Sequence, residues 1–181
     1  DTDVFRFEGR TGQTIVAEVY ARRLNSPLDS VLRLVDPTGV EIGFNDDHKD
    51  REMGLITHQA DSYLRAKLPR DGAYLVRLSD AQRQGGKAYA YRLHIRLAHP
   101  SFALLLDPSA INMPNGRAAQ VTVHALRKDG FEGDVDLELA HAPEGFSLTN
   151  VRIPADKDSI KMTLTVPRGT PKGIFPVEIK G

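Results

Sequence analysis

The sequence contains no cysteine and no tryptophan among its 181 residues. The lack of cysteine excludes disulfides, catalytic thiolates and metal sites built from thiolates. An excess of charge of one sign is also lacking, because 24 basic side chains balance 24 acidic ones. A neutral chain exerts no broad electrostatic attraction on nucleic acid or on an anionic membrane, so we predict that it does not bind nucleic acid.

Long hydrophobic runs are missing as well. Among the longest is Phe102 to Leu106, whereas a helix that crosses a bilayer needs about 20 apolar residues. We therefore predict no membrane span. No signal-peptide pattern is present, and Asp1 already lies within a strand-like pattern. We expect the chain to be a piece of a longer protein whose export signals lie outside it.

The sequence does contain repeated strand-like alternation. In the clearest run, residues 89–97, aromatic and aliphatic side chains alternate with Arg92, His94 and Arg96. This period of two is typical of a half-buried strand. Further runs of this kind are separated by Gly and Pro at spacings near about 8 to 12 residues, which predicts antiparallel sandwiches. Helical periodicity is hard to find anywhere in the chain.

The alternation is interrupted at Ala98-His99-Pro100-Ser101, which predicts a domain boundary. We therefore predict an all-β protein of two tandem β-sandwich domains, residues 1–97 and 101–181. A short linker around Ala98 to Pro100 joins them.

A predicted hairpin organises the first domain. Two short strands, residues 29–35 and 40–44, flank the turn Asp36-Pro37-Thr38-Gly39, whose residue types suit a β-turn. The second strand ends in Asn45, Asp46 and Asp47. Calcium binds six to eight oxygen atoms, and these three side chains, together with Asp29 or Asp50, supply several. We predict a calcium site at this loop. The alternative is that Asn and Asp are present only because they favour turns.

Five motifs follow one another in the first domain: Asp1-Thr2-Asp3-Val4-Phe5-Arg6-Phe7, Leu28-Asp29-Ser30-Val31-Leu32, Asn45-Asp46-Asp47, Asp71-Gly72-Ala73-Tyr74 and Tyr89-Ala90-Tyr91. In this order they resemble the bacterial pre-peptidase C-terminal domain, to which the collagen-binding domains of secreted collagenases look related. The resemblance implies a jelly-roll-like sandwich that is attached to a secreted or surface protein, often a protease, and is not itself catalytic. It also implies carboxylate ligands for calcium in the loop at Asn45 to Asp47.

The second domain carries three shorter motifs: Gly130-Phe131-Glu132-Gly133-Asp134-Val135, Ala142-Pro143-Glu144-Gly145-Phe146 and Gly173-Ile174-Phe175-Pro176-Val177. They resemble a bacterial immunoglobulin-like module. The cysteines and tryptophan of antibody domains are missing. The resemblance implies a spacer or a contact surface in an extracellular protein.

Residues for catalysis do not form a recognisable pattern. There is no Gly-x-Ser-x-Gly elbow, and the six histidines are scattered without the spacing of a zinc site.

The polar face of Arg92, His94 and Arg96, extended by Arg77 on a neighbouring strand, has two interpretations. It either binds an anionic polysaccharide or a partner, or is a solvated sheet face. Of the tyrosines, Tyr74, Tyr89 and Tyr91 lie on apolar faces, and we expect them to pack in the core.

We therefore predict a non-catalytic accessory region of a larger exported bacterial protein, such as a protease, which serves substrate targeting, adhesion or spacing. The alternatives are a calcium-stabilised structural spacer without a ligand of its own and a hydrolase domain. The predicted partner is an extracellular polymer, protein or polysaccharide, or neighbouring domains of the same chain. We predict a monomer that is secreted, periplasmic or at the cell surface.

Overall fold

The computed structural model describes residues 1–48 and 61–181. A further strand-like run of the sequence, Gly54 to His58, and the candidate ligand Asp50 lie outside the described residues. The described part consists of strands and one 3-10 helix, Arg22–Leu24, so the all-β prediction is confirmed. The chain forms two compact units, Asp1–His99 and Pro100–Gly181.

Among its described residues, the first unit contains seven strands in two antiparallel sheets. The strands are β1 Thr2–Gly9, β2 Thr14–Tyr20, β3 Ser30–Val35, β4 Glu41–Asn45, β5 Tyr63–Lys67, β6 Gly72–Asp80 and β7 Arg92–Leu97. One sheet has the order β1-β6-β3-β4 and the other the order β5-β2-β7. Both sheets contribute to one hydrophobic core, in which Ala17 and Val19 of β2 and Leu32 and Leu34 of β3 are fully buried.

The predicted hairpin is confirmed, since β3 and β4 pair as antiparallel neighbours. Asp36 holds the turn together: its carboxylate accepts hydrogen bonds from the Thr38 amide at 2.8 Å, the Thr38 hydroxyl at 2.6 Å and the Val40 amide at 3.0 Å. These donors, with the Thr38 hydroxyl foremost, hold the pKa of Asp36 below its ordinary value. Gly39 has a φ of +88°, a conformation that favours glycine.

Tyr74 anchors the corner between β5 and β6. Its side chain is fully buried, its ring stacks on Phe7 with centroids 5.5 Å apart, and its hydroxyl donates to the Arg70 carbonyl at 2.7 Å. A tyrosine whose hydroxyl bonds to the backbone a few residues upstream resembles the tyrosine corner of other sandwiches. Gly9 lies beside it, and a Cβ atom at that position would collide with Leu68. The close approach therefore requires glycine.

The second unit contains eight strands. They are β8 Ser101–Asp107, β9 Ala118–Lys128, β10 Val135–Asp136, β11 Glu138–Ala140, β12 Ser147–Thr149, β13 Arg152–Ile153, β14 Ser159–Thr165 and β15 Glu178–Lys180. A four-stranded sheet has the order β12-β14-β9-β8, and two further pairs are β10-β13 and β11-β15. Val123, Val135, Ile153 and Met162 form the centre of its core.

Candidate functional site

The acidic loop after β4 is only partly available to a ligand. Asn45 uses its side-chain amide within the fold: the oxygen accepts a hydrogen bond from the Tyr63 amide at 2.8 Å, and the nitrogen donates to the Asp47 carbonyl at 2.9 Å. The amide thereby ties the end of β4 to the start of β5. Asp46 and Asp47 are exposed. Of the three loop residues, Asn45 therefore acts as a structural bridge, whereas the two carboxylates face solvent.

Asp29 lies close to this loop, as the sequence predicted. Its pKa is raised above the ordinary value, first by burial and then by the negative charges of Asp47, Asp80 and Asp46, against the opposing charge of Arg22. The carboxylates of Asp46, Asp47 and Asp80 therefore each lie within electrostatic reach of Asp29, and we call these four residues the acidic corner.

Asp80 is the member of the acidic corner that the sequence analysis missed. It is buried, and its carboxylate accepts hydrogen bonds from the backbone amides of Asp29, Gln82 and Gln84 at 2.9, 2.9 and 3.0 Å. Burial raises the pKa of Asp80, but these amides outweigh that effect and leave the pKa below its ordinary value. Asp80 thus fixes the backbone on which Asp29 sits.

The acidic corner fits calcium only in part. Within residues 1–48 and 61–181, no three His, Asp or Glu side chains are grouped so that they could hold a metal ion. The amide of Asn45 is already engaged, and the candidate ligand Asp50 lies outside the described residues. The calcium site predicted at Asn45, Asp46, Asp47 and Asp29 therefore stays a prediction.

That prediction has a direct test. If calcium binds the acidic corner, the ion stabilises the folded state by RT ln(1 + [L]/Kd), which is about 2.7 kcal/mol at a hundredfold excess over Kd. The melting temperature should rise with calcium and fall with chelator, and the double change Asp46→Asn and Asp47→Asn should abolish the response. The matched control is Asp71→Asn, an exposed aspartate that lies outside the corner. A melting temperature that does not change with calcium or chelator would contradict the predicted site.

A buried ion-pair network lies just after the C-terminal end of β2. Asp61 accepts hydrogen bonds from the backbone amides of Ala21, Arg22 and Arg23 at 3.1, 2.7 and 3.3 Å, and from Arg23 Nε at 2.9 Å. The Arg23 guanidinium also contacts Glu18 at 3.2 Å. The side chains of Arg23 and Asp61 are only 14% and 4% exposed. The contacts of Asp61, Arg23 and Glu18 described above join groups of the same fold, which indicates a structural role for this network.

The outer face of the sheet β5-β2-β7 carries a row of cations. In the strand register, Arg65 of β5 lies opposite Val16 of β2, and Val16 lies opposite Arg96 of β7. Arg92 and Lys67 point to the same side, because they are separated from these positions by an even number of residues. All four cations are exposed. We call Arg65, Lys67, Arg92 and Arg96 the basic face.

The predicted extension of this face by Arg77 is wrong. Arg77 lies on β6, where it is paired with Val4 and Arg33 in the other sheet of the first unit. The cation that adjoins Arg96 across β2 is Arg65 instead. Alternation assigns a residue to a face of its own strand, but it does not identify the sheet to which the strand belongs.

The tyrosines divide into core and surface residues. Tyr74 is fully buried, and Tyr89 and Tyr91 pack against the core, as predicted. Tyr91 donates a hydrogen bond to Asp3, and burial, followed by this bond, raises the pKa of its hydroxyl. Tyr20 packs at a tilt against His94, with ring centroids 5.1 Å apart, and the Arg23 guanidinium lies 3.9 Å over its ring. The Tyr20 ring is therefore already engaged.

The second unit contains an apolar cavity of about 1090 Å³. Its lining is mainly aliphatic and aromatic, with Phe146 and Phe175 5.9 Å apart. Among the described residues that line it, Lys172 is the one ionisable side chain.

In the part of the chain that the structure describes, no helix has the length and apolar character needed to cross a membrane.

No family model matches the chain, so its resemblance to the pre-peptidase C-terminal domain stays a prediction. A probable subtilase-type serine protease of Deinococcus radiodurans is 38% identical to this chain over 80 residues. These residues are 44% of this chain and 10% of the protease, so the similarity spans about a tenth of that relative.

Proposed function

We propose that this chain is a non-catalytic accessory region of a larger exported protease, and that it directs the protease to its substrate. The observation that carries this proposal is the partial similarity to a subtilase-type serine protease in a chain whose described residues are all-β. Subtilisin-type catalytic triads lie on an α/β fold. The all-β fold of the described residues thus supports the proposal that the matching segment lies outside the catalytic domain of the protease.

The resemblance to the pre-peptidase C-terminal domain is consistent with this proposal. Its implied jelly-roll-like sandwich agrees with the two packed antiparallel sheets of the first unit. On this proposal the region works outside the cytoplasm, either secreted, periplasmic or at the cell surface. Its partner is an extracellular polymer, with neighbouring domains of the same chain as further contacts.

The competing role is that of a structural spacer. A spacer needs no concentrated binding surface, whereas the first unit gathers four exposed cations on one sheet face of a chain with no net charge. This concentration of charge favours targeting over spacing.

The test compares the full-length protein with a version that lacks residues 1–181. Activity on a short soluble peptide should be unchanged, because the region adds nothing to the chemistry. Activity on an insoluble polymeric substrate should fall by about tenfold or more, because tethering raises the effective concentration of the enzyme at that substrate. Equal activity of both versions on the insoluble substrate would support a spacer, and loss of peptide hydrolysis would point to a catalytic role.

A further inference from the structure

We propose that the basic face of the first unit binds an acidic polysaccharide, a ligand class that gives the proposed targeting role its partner and rests on that role. The face lies on the outer side of β5-β2-β7 and consists of Arg65, Lys67, Arg92 and Arg96.

The spacing of the cations suits an extended, regularly charged polymer. Neighbouring strands lie about 4.8 Å apart, so Arg65 and Arg96, two strands apart, are separated by about 10 Å at their Cα atoms. Arg92 and Arg96 are four residues apart on β7, or about 13 Å along the strand. The sheet thus presents charge in two directions over a flat surface, rather than at a single point in a pocket.

Charge on this face is segregated. Among the strand residues that point outward, the only acidic one is Glu18 of β2. It is 15% exposed and is already within 3.2 Å of Arg23 and 3.9 Å of Arg96. Among these described strand residues, four cations thus stand against one carboxylate. Arginine guanidinium groups match the geometry of carboxylates and sulfates, and three of the four cations are arginines.

The aromatic side chains that point outward on this face are already engaged: Tyr20 packs against His94 and the Arg23 guanidinium, and Tyr63 stacks on His48. Protein interfaces depend on a few large apolar or aromatic anchors. None of the exposed large hydrophobic residues lies among the outward-facing residues of this sheet; they are Val4, Leu24, Val40, Phe44, Leu97, Val151, Ile174 and Phe175. Val16, at the centre of the face, is fully buried. A polar, acidic polymer fits this surface better than an acidic protein does.

The outer side of the other sheet supplies a matched comparison. It also carries three arginines, but Arg6 pairs with Glu8 and Arg33 pairs with Glu41, each at 2.8 Å. Carboxylates on that sheet therefore offset two of its cations. Removing charge from Arg6 and Arg77 changes the net charge of the chain as much as removing it from two cations of the basic face.

The experiment measures binding of the chain to heparin, which is sulfated, and to polygalacturonate, which is carboxylated. We expect binding to at least one of them, with an affinity that falls as salt increases. The double change Arg65→Gln and Arg92→Gln should weaken it by about tenfold or more, at about 1.4 kcal/mol per factor of ten. Neither arginine has an ion pair in the described structure, so the fold should survive. Arg6→Gln with Arg77→Gln should change the affinity by less than about twofold.

Several results would overturn the proposal. They are no binding of the parent chain to either polysaccharide, an equal loss in the Arg6 and Arg77 control, or equally tight binding to polyglutamate or to DNA, which would show unselective attraction. Circular dichroism of each variant separates loss of binding from loss of folding, and Arg96→Gln provides a third position if one change disturbs the sheet. Failure here would leave the proposed targeting role testable, because the protease comparison does not use these ligands.

Discussion

Replacing Asp61 with alanine should destabilise the chain by about 3–5 kcal/mol, as expected when one partner of a buried ion pair is removed. The carboxylate accepts three backbone amides and Arg23 Nε. Without it, the Arg23 guanidinium, whose side chain is only 14% exposed, loses its most buried partner. The amides of the 3-10 helix also lose their acceptor. Urea unfolding followed by circular dichroism measures the change as a lower midpoint with an unchanged slope.

A matched control is Glu41→Ala. Glu41 pairs with Arg33 at 2.8 Å, but both side chains are more than 40% exposed, so the loss should be at most about 1 kcal/mol. A second variant combines Asp61→Ala with Arg23→Met. It should recover part of the loss, because it removes a buried cation that has lost one of its two carboxylate partners. Equal effects of Asp61→Ala and Glu41→Ala would show that the buried network contributes little.

Much of the fold follows from the sequence because burial imposes a period of two on strands. Tyr74, which the sequence placed on an apolar face, alternates along β6 with Val76 and Leu78, and all three side chains are at most 2% exposed. Pairing between strands could not be predicted in the same way. β1 and β2 are adjacent along the chain but belong to different sheets. Alternation shows which side chains share a face of one strand, but it does not show which strand is the hydrogen-bonded neighbour.

In the candidate sites, too, local contacts could be predicted from the sequence, whereas contacts that depend on strand pairing could not. Asp29 precedes β3 and Asp46 follows β4, and because β3 and β4 form a hairpin their proximity is a local consequence of the turn. Asp80 belongs to β6, which is not part of that hairpin, so its position beside Asp29 could not be predicted from the turn. Arg65 likewise is a single arginine in a short strand, and only the register across β2 places it beside Arg96. Long-range pairing therefore set the limit of the sequence analysis.

Replacing Tyr74 with alanine should cost about 3–5 kcal/mol, since it removes a fully buried aromatic side chain and leaves a cavity. Tyr74→Phe separates the two contributions of this residue. It keeps the ring stacked on Phe7 and removes the hydroxyl, which donates to the Arg70 carbonyl at 2.7 Å and accepts a longer bond from the Arg70 amide at 3.4 Å, so the expected loss is about 1 kcal/mol.

The comparison of these two variants distinguishes packing from anchoring at the corner between β5 and β6. If the ring supplies most of the stability, Tyr74→Phe retains most of the urea midpoint that Tyr74→Ala loses. If the two variants lose the same amount, the hydroxyl bond to Arg70 fixes the corner, and the ring packs correctly only when that bond is present. We expect the first result, because the side chain is fully buried against the aromatic and aliphatic core of the first unit, whereas a single neutral hydrogen bond contributes about 1 kcal/mol.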